Sequence, residues 1–480
     1  MGFAEVYDYV AGKLDWLAAG LATEGSNALR PRAGDVARHD VLREGGHAGS
    51  IAPGPRRSEE ALMVVEPPLR VESREELVWL LTQACELEHG LMCEYMFAQF
   101  TLKRTQEEGL SAEQQAKVAA WEAVIIDVTK QEMLHLALAI NLLSAIGAAP
   151  HLHRPNFPIL SRWYPPGVQI ALVPFGERAL RHFIYLERPE GMDLDDAEGF
   201  AAVGRAQPLT NDDSLMAVPE DYQTVGHLYR GIEHGLERLV DRHGEAGVFI
   251  GPPQAQATTE VFEWAELTAV TDLASARAAI ELIVEQGEGA RGDWRNAHFG
   301  KFVALLDDYL AARAADPGFE PARPVVSAYV RRPADVEADT ALITDPLTAQ
   351  VADLFNAIYE TTLQALSRYF VHSGESAEQV TTLATVAKHL MNWVMRPLGS
   401  VLTTLPVGAD RPGVLAGPAF EIVQPSFYVL PHRQAAWRIL AERLDELAGR
   451  TERLSGTAGL GQLAELATDL RGMARDVESA

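Results

Sequence analysis

The chain has 480 residues, 47% of them hydrophobic, enough for a large packed core and, at roughly 150 residues per domain, for two or three structural units. Its net charge of −26 sets it against nucleic-acid backbones and anionic membrane surfaces. No run of about 18 uncharged apolar residues is present to span a bilayer.

The N-terminal stretch MGFAEVYDYVAGKLDWL has no basic segment leading into an apolar one, and Val6 stands where an acylation signal needs Ser or Thr. Cys85 and Cys93 lie on different sides of one predicted helix, too badly aimed for a disulfide. Free thiols without an export signal point to the cytoplasm.

In chain order, residues 1–22 read as an amphipathic helix and 23–70 as an irregular arm rich in Gly, Pro and Arg. Helical periodicity begins at Ser73 and predicts helices over 74–103 and 112–147. The second opens with a capping box, Ser111 to Gln114, and stops at Gly147 and Pro150. Residues 148–220 are dense in Pro and aromatics, with one strand-like run at 168–173. That length exceeds an ordinary helix–helix connection. It suits a four-helix bundle whose second and third helices run in the same direction.

Further helices are predicted over 221–242 and 272–312, then 346–372, 376–404 and 431–454, with a weak amphipathic tail after 455. The predicted fold is all-α. It comprises an N-terminal helix and arm (1–70), a four-helix bundle with a long crossover (71–315), and additional C-terminal helices (316–480) packing on the bundle.

Several acids break the apolar stripes. On the first bundle helix, Leu77, Leu81, Ala84, Leu91, Tyr95, Ala98 and Leu102 fall within about 80° of Glu88 at ~100° per residue. Glu86 points the opposite way and Glu94 about 120° aside. On the second, Trp121, Ile125, Val128, Leu136, Ala139, Leu143 and Ile146 share the face of Glu132, and His135 sits about 60° away. A buried carboxylate is costly unless it is paired or bound to a metal. A Glu on one helix and an inward Glu-x-x-His on the next is the ligand spacing of ferritin-like dimetal carboxylate proteins. Oxygen donors with imidazole suit iron or manganese. The alternative is an interhelical ion pair with a satisfied histidine.

The second half of the bundle is less regular. Glu233 lies at the edge of the stripe of Val225, Tyr229, Leu236 and Val240, while His227 points away from it. The segment Glu285-Gln-Gly-Glu288 puts Glu-x-x-Glu where Glu-x-x-His is expected. Gly287, Gly289 and Gly292 can distort the helix and swing His298 inward. We therefore expect Glu285 as the bridging ligand, with Glu288 and His298 completing the second metal and Glu281 as an alternative acid. His151 and His153 form a loop pair able to bind a stray metal, and His389 packs in an aromatic and Met stripe. Neither a phosphate-binding Gly-rich loop nor a Gly-x-Ser-x-Gly elbow is present.

Several segments resemble the ferritin-like domain of the iminophenyl-pyruvate dimer synthases, enzymes of violacein and related bis-indole pathways. They are Glu86-Leu-Glu-His-Gly90 leading to Tyr95, Glu132 with His135, and Asn141 to Gly147. The crossover adds Asn156-Phe-Pro158, Tyr164 to Val168 and Glu187-Arg-Pro-Glu190. Val225 to Tyr229, Glu285 to Gly289 and His298-Phe299 follow. The resemblance covers about 74–310 and implies the fold and the ligands named above. Those synthases are about twice this length and use haem to couple two tryptophan-derived imines. The resemblance does not carry that coupling over.

The expected function is that of a non-haem diiron enzyme using two Fe ions, with Mn as an alternative, and O2 to oxidise or oxygenate a small organic substrate. Tyr95 and Tyr229, on inward faces, either supply a proton or electron or serve as core residues. The crossover and C-terminal helices would shape a substrate pocket over the site. Other readings are a non-catalytic ferritin-like scaffold and an iron-storing relative. A small molecule is the expected partner, without nucleic acid or membrane, for a monomer or homodimer.

Overall fold

The computed structural model describes residues 69–480 apart from 160–168, 193, 201–221, 290–293, 332–339, 373, 424–431 and 458. The expected helix over 1–22 and most of the arm lie outside the described residues.

Helix α1 (Arg74–Thr101) starts at Ser73, whose hydroxyl accepts from the Glu76 N–H, while the Glu76 carboxylate accepts from the Ser73 N–H at 2.8 Å. Helix α2 (Ala112–Ala145) starts with the expected box at Ser111 and Gln114. It stops where Gly147 takes up a left-handed φ of 86°. These two helices pack along each other and are buried on most faces.

The crossover holds an element the periodicity reading did not foresee. Helix α3 (Glu177–Leu186) buries Ala179, Leu180, Phe183 and Leu186 on one face. Phe183 packs between Tyr95 of α1 and Phe302, with ring centroids 4.7 and 5.3 Å away. The strand-like run forms one antiparallel bridge, Ile159 to Ile170.

Helix α4 (Val225–His243) is capped by the Thr224 side chain. The predicted helix over 272–312 is two helices, α5 (Leu273–Gly287) and α6 (His298–Ala315). Gly289 explains the break: its φ of 97° is open to glycine, and its N–H turns back to the Val284 carbonyl. Helix α4 packs on α1 and α5, and α5 and α6 both pack on α2, so two elements fill the fourth position of the bundle.

Residues 316–480 are not purely helical. Strands β1 (Val325–Tyr329), β2 (Thr340–Leu342) and β3 (Leu415–Pro418) form a parallel sheet of order β2-β1-β3 in stretches between the predicted helices. Helix α7 (Pro346–Val371) follows the N-cap Asp345. Helix α8 (Ala377–His389) runs through a π-helical turn, Leu390–Met395, into α9 (Arg396–Leu402). The widened turn precedes Pro397, which has no N–H for a regular ladder and crowds the carbonyl four residues back.

Helix α10 (Arg433–Ser455) and helix α11 (Leu463–Ser479) pair along their length. Their buried positions, Trp437, Leu440, Leu444, Leu447, Thr451 and Leu454 against Leu463, Leu466, Leu470, Met473 and Val477, alternate steps of three and four. The tail beyond 455 is thus half of a packed helical hairpin.

The C-terminal region sits on the face of α1 turned away from α4. Phe100 of α1 meets Phe355 of α7 and Phe420, at centroid distances of 6.3 and 6.5 Å. Gly417 lets β3 approach: a Cβ there would fall 2.4 Å from the Phe97 ring. Among the described residues no helix is long and apolar enough to cross a membrane.

Candidate metal centre

Glu88 of α1 and Glu132 and His135 of α2 meet in the bundle interior, each no more than 2% exposed. His135 Nδ1 stands 3.6 Å from Glu88 Oε2 and 3.5 Å from Glu132 Oε2. His298, first residue of α6, enters from the other side, its Nδ1 2.7 Å from Glu132 Oε1 and 3.5 Å from Glu187 Oε1. Glu132 therefore turns one oxygen toward each imidazole, the placement of a bridging carboxylate.

Both histidines are held in the same way. His135 Nε2 bonds Gln286 Oε1 at 2.9 Å, and His298 Nε2 bonds Gln131 Oε1 at 3.0 Å. Lys301 Nζ also donates to Gln131 Oε1 at 2.9 Å, which fixes that atom as the amide oxygen. An oxygen acceptor keeps a proton on Nε2, so that when the ring is neutral Nδ1 is the lone pair aimed at the carboxylates, the tautomer a metal needs. Among the described residues His298 Nδ1 and Glu132 Oε2 are buried without a hydrogen bond.

Two tyrosines brace the outer carboxylates. Tyr229 Oη donates to Glu88 Oε1 at 2.7 Å, and Tyr95 Oη donates to Glu187 Oε1 at 2.5 Å. Burial, then the carboxylates beside them, push both phenols well above their usual range, so they stay neutral donors. Both residues that the periodicity turned inward thus find partners at the centre.

The electrostatics are those of crowded carboxylates. Burial raises Glu88 to about 8 against the pull of His135, and the Glu132 charge adds to the rise. Burial also pushes Glu132 up, but His298 and His135 overcome it and hold its carboxyl below the usual range. Burial lowers both imidazoles and the facing carboxylates more than reverse it: Glu132 raises His135, and Glu187 and Glu132 raise His298. In a metal-free chain protons supply the positive charge here.

Glu288, at the C-cap of α5, lines the same cavity. Its oxygens accept from the Gly226 N–H at 2.6 Å and the Glu190 N–H at 3.0 Å. Burial raises it to about 7, against those bonds and Arg230. Gly226 is required here, because a Cβ would fall 2.3 Å from Glu288 Oε1.

Of the expected ligands, Glu88, Glu132, His135, Glu288 and His298 come together. Glu285 does not: it is exposed on α5, and the carboxylate that faces both imidazoles is Glu132. The phase of α5 is set by Ala276, Ile280, Ile283 and Gly287, which turns both Glu285 and the alternative Glu281 to solvent. Glu233 lies partly exposed on α4, 3.5 Å from Arg277 of α5. Glu187, not among the expected ligands, stands beside His298 instead. It caps α3 inside the crossover, where helical periodicity could not test it; its inclusion in the Glu187-Arg-Pro-Glu190 motif was the available signal. The crossover thus contributes a donor, whereas the C-terminal helices line no part of this cavity.

Two other charged groups depart from expectation. Glu94, placed aside from the stripe, is fully buried with its Oε1 3.2 Å from His182 Nε2, and His182 Nδ1 meets Asp196 at 2.8 Å. Glu86, His151 and His153 gather half-buried on the outside, with His151 Nε2 2.9 Å from Glu86 Oε1.

The donor set fits two divalent ions. With the imidazoles neutral, four carboxylates (Glu88, Glu132, Glu187 and Glu288) bring four negative charges into one buried space, which two dications balance.

Residues 81–307 match the family model described as Ferritin-like. The chain is similar to the dichlorochromopyrrolate synthase of Lentzea aerocolonigenes, 26% identical over 434 residues, covering 82% of this chain and 41% of that protein. It is also similar to the 2-imino-3-(indol-3-yl)propanoate dimerase of Chromobacterium violaceum, 25% identical over 369 residues, covering 73% of this chain and 34% of the other. The matches thus span less than half the length of either relative. A crystal structure of a ferritin-like protein from Caulobacter vibrioides aligns with 69% of this chain and 98% of its own, at 19% identity and a TM-score of 0.42.

Proposed function

We propose, from the premise that the chain carries a ferritin-like domain over residues 81–307, that it is a non-haem diiron oxidase or oxygenase that uses O2 on a small organic substrate. The carrying observation is the pair of buried histidines, each aiming Nδ1 at Glu132 and each fixed through Nε2 by a glutamine. The names of the two relatives, a synthase and a dimerase of small organic molecules, support a role in natural-product biosynthesis.

Glu88 and His135 would hold one ion and Glu187 and His298 the other, with Glu132 shared and Glu288 closing the wall. Two such ions would supply the electrons that reduce O2. The chain does the rest. Tyr229 keeps its proton at Glu88 Oε1, which leaves Glu88 Oε2 facing His135 for a cation, and Tyr95 keeps its proton at Glu187 Oε1, which orients that carboxylate beside His298. Leu91, Val225 and Ile283 line the space among the acids and exclude bulk water from it. The Gly226 N–H, near the start of α4, holds Glu288 in line with the positive end of that helix.

The test is anaerobic Fe(II) loading followed by elemental analysis and O2 uptake. About two ions per chain are expected, with both lost in Glu132→Ala, one retained in Glu187→Ala, and no change in Glu285→Ala. Wild-type protein that holds no stoichiometric metal, or that consumes no O2 when loaded, overturns the reading and leaves a ferritin-like scaffold.

A further inference from the structure

On the side of α1 opposite Glu88, three metal-ligating side chains face one another: Glu86 from the middle of α1, and His151 and His153 from the stretch that follows α2. Residues two apart on a helix point about 200° away from each other, so the turn that sends Glu88 into the metal centre sends Glu86 out of it.

Residues 149–156 run without helix or strand, and burial alternates along them: Leu152 and Arg154 are buried, His151 and His153 half-buried. That period of two is the one by which a stretched chain turns successive side chains to opposite sides, and it brings both imidazoles out together. The buried neighbours brace the stretch. Leu152 joins the main core, and Arg154 donates to the Phe420 carbonyl at 2.7 Å and to the Pro155 carbonyl at 2.8 Å, with its guanidinium 4.0 Å from the centre of the Phe157 ring. Two residues on, the Asn156 amide exchanges hydrogen bonds with the Ile422 backbone at 2.9 and 2.8 Å.

One ligand atom from each of the three side chains lies within 4.8 Å of the other two, and His151 Nε2 already stands 2.9 Å from Glu86 Oε1. Bonds of about 2.1 Å around a tetrahedral ion space its ligand atoms about 3.4 Å apart, so an approach of at most about 1.4 Å, within the reach of side-chain rotation, completes the set. Burial, and then the charge of His151, push the His153 imidazole below its ordinary range, so at neutral pH it offers a lone pair. The Arg154 charge, which acts in the same direction, is turned inward to the Phe420 carbonyl. The side chains of Glu86 and His151 keep 17% and 22% exposure, which leaves the cluster open to an ion from solvent.

Two imidazoles and one carboxylate with a position left for water make a donor set of Zn(II). We propose that Glu86, His151 and His153 hold one Zn(II) ion, its fourth position open to water, which ties the middle of α1 to the chain beyond α2. The site does not depend on the function proposed above. The order of divalent affinities puts Fe(II) well below Zn(II) at the same donors, so Fe(II) loading of the buried centre and Zn(II) loading here read different sites.

The test titrates Zn(II) against a chromophoric chelator into the untagged full-length chain carrying Glu132→Ala, in which the buried centre is disabled. One Zn(II) per chain is expected. His153→Ala and the isosteric Glu86→Gln should each weaken it at least about tenfold, whereas His243→Ala, at an exposed histidine of α4, should leave it unchanged. Zn(II) should also raise the thermal midpoint of the Glu132→Ala chain, an effect lost when His153→Ala is added. In the wild type, His153→Ala should lower the total by one Zn(II) per chain, a readout that holds whether or not Glu132→Ala folds. Folded Glu132→Ala chain without stoichiometric Zn(II), affinity unchanged by both His153→Ala and Glu86→Gln, or an equal loss in His243→Ala would overturn the proposal.

Discussion

His135 and His298 lie across Glu132 from one another, their ring centroids 5.4 Å apart and their planes inclined by 27°. One comes from the middle of α2 and the other from the first turn of α6, yet each meets a glutamine behind it and a carboxylate before it. The glutamines set which nitrogen faces inward, so their loss should be felt by a bound ion they never touch. Gln131→Leu and Gln286→Leu should each weaken Fe(II) or Mn(II) binding about 10- to 100-fold. Competition with a chelator of known affinity would measure this; unchanged affinity in both variants would show that the imidazoles need no such support.

Gly226 gives a second test, because its missing side chain is the space Glu288 occupies. Gly226→Ala should destabilise the fold by about 1–3 kcal/mol as the carboxylate is driven from its two N–H donors. Combined with Glu288→Ala, the cost of the alanine should largely disappear, since the clashing atoms are gone. Denaturant melts of the two single variants and the double variant would show this as non-additivity. Strict additivity would disprove the contact.

The metal-free protein should lose stability as pH rises from about 5 to 8. Folded Glu88, at about 8, and Glu288, at about 7, keep protons that the unfolded chain gives up near 4.5. The unfolded state then binds fewer protons, and stability falls with pH. Raised His135 and His298 act in the same direction above 6.5. Lowered Glu132 acts only below 4.5, outside this window. Urea denaturation at pH 5.5 and pH 8, with and without Mn(II), checks the sign: the fall should shrink when the ion replaces the protons. Stability that rises over this interval without metal would contradict the burial of these acids.

Helices α10 and α11 offer a test away from the centre. Leu444→Ala removes a fully buried side chain from the seam of the hairpin and should cost about 2–5 kcal/mol. The exposed Glu442→Ala, two residues away, should cost little. Similar losses in both would mean that the hairpin does not pack as described.

The legible part of the centre follows from a single rule. Glu88, Glu132 and His135 lie in the middle of long regular helices, where a polar side chain on an apolar stripe has a computable direction. Glu187, Glu288 and His298 lie at helix ends, where that calculation loses its phase. His298 was reached only by noting that the glycines could break the helix, and Gly289 does so. Glu285 shows the same difficulty from the other side: its spacing to Glu288 suggested a shared face, but the core residues of α5 turn it to solvent. Glu94 falls outside the apolar stripe because the wheel of α1 cannot anticipate α3, the helix that brings His182 to it. The strands were hidden because β1, β2 and β3 are three to five residues long and lie among prolines and glycines, too short for alternation to show.

The division of the fourth bundle position into α5 and α6 orders events during synthesis. The donors run from Glu88 to His298, so the first is made on the order of tens of seconds before the last. Until His298 arrives, Glu132 has His135 but no second imidazole, and the nascent bundle offers half a binding site. A cation captured there would be the last part of the domain to be installed and could not be the nucleus around which it folds. Occupancy would then report that some two hundred intervening residues had already found their places.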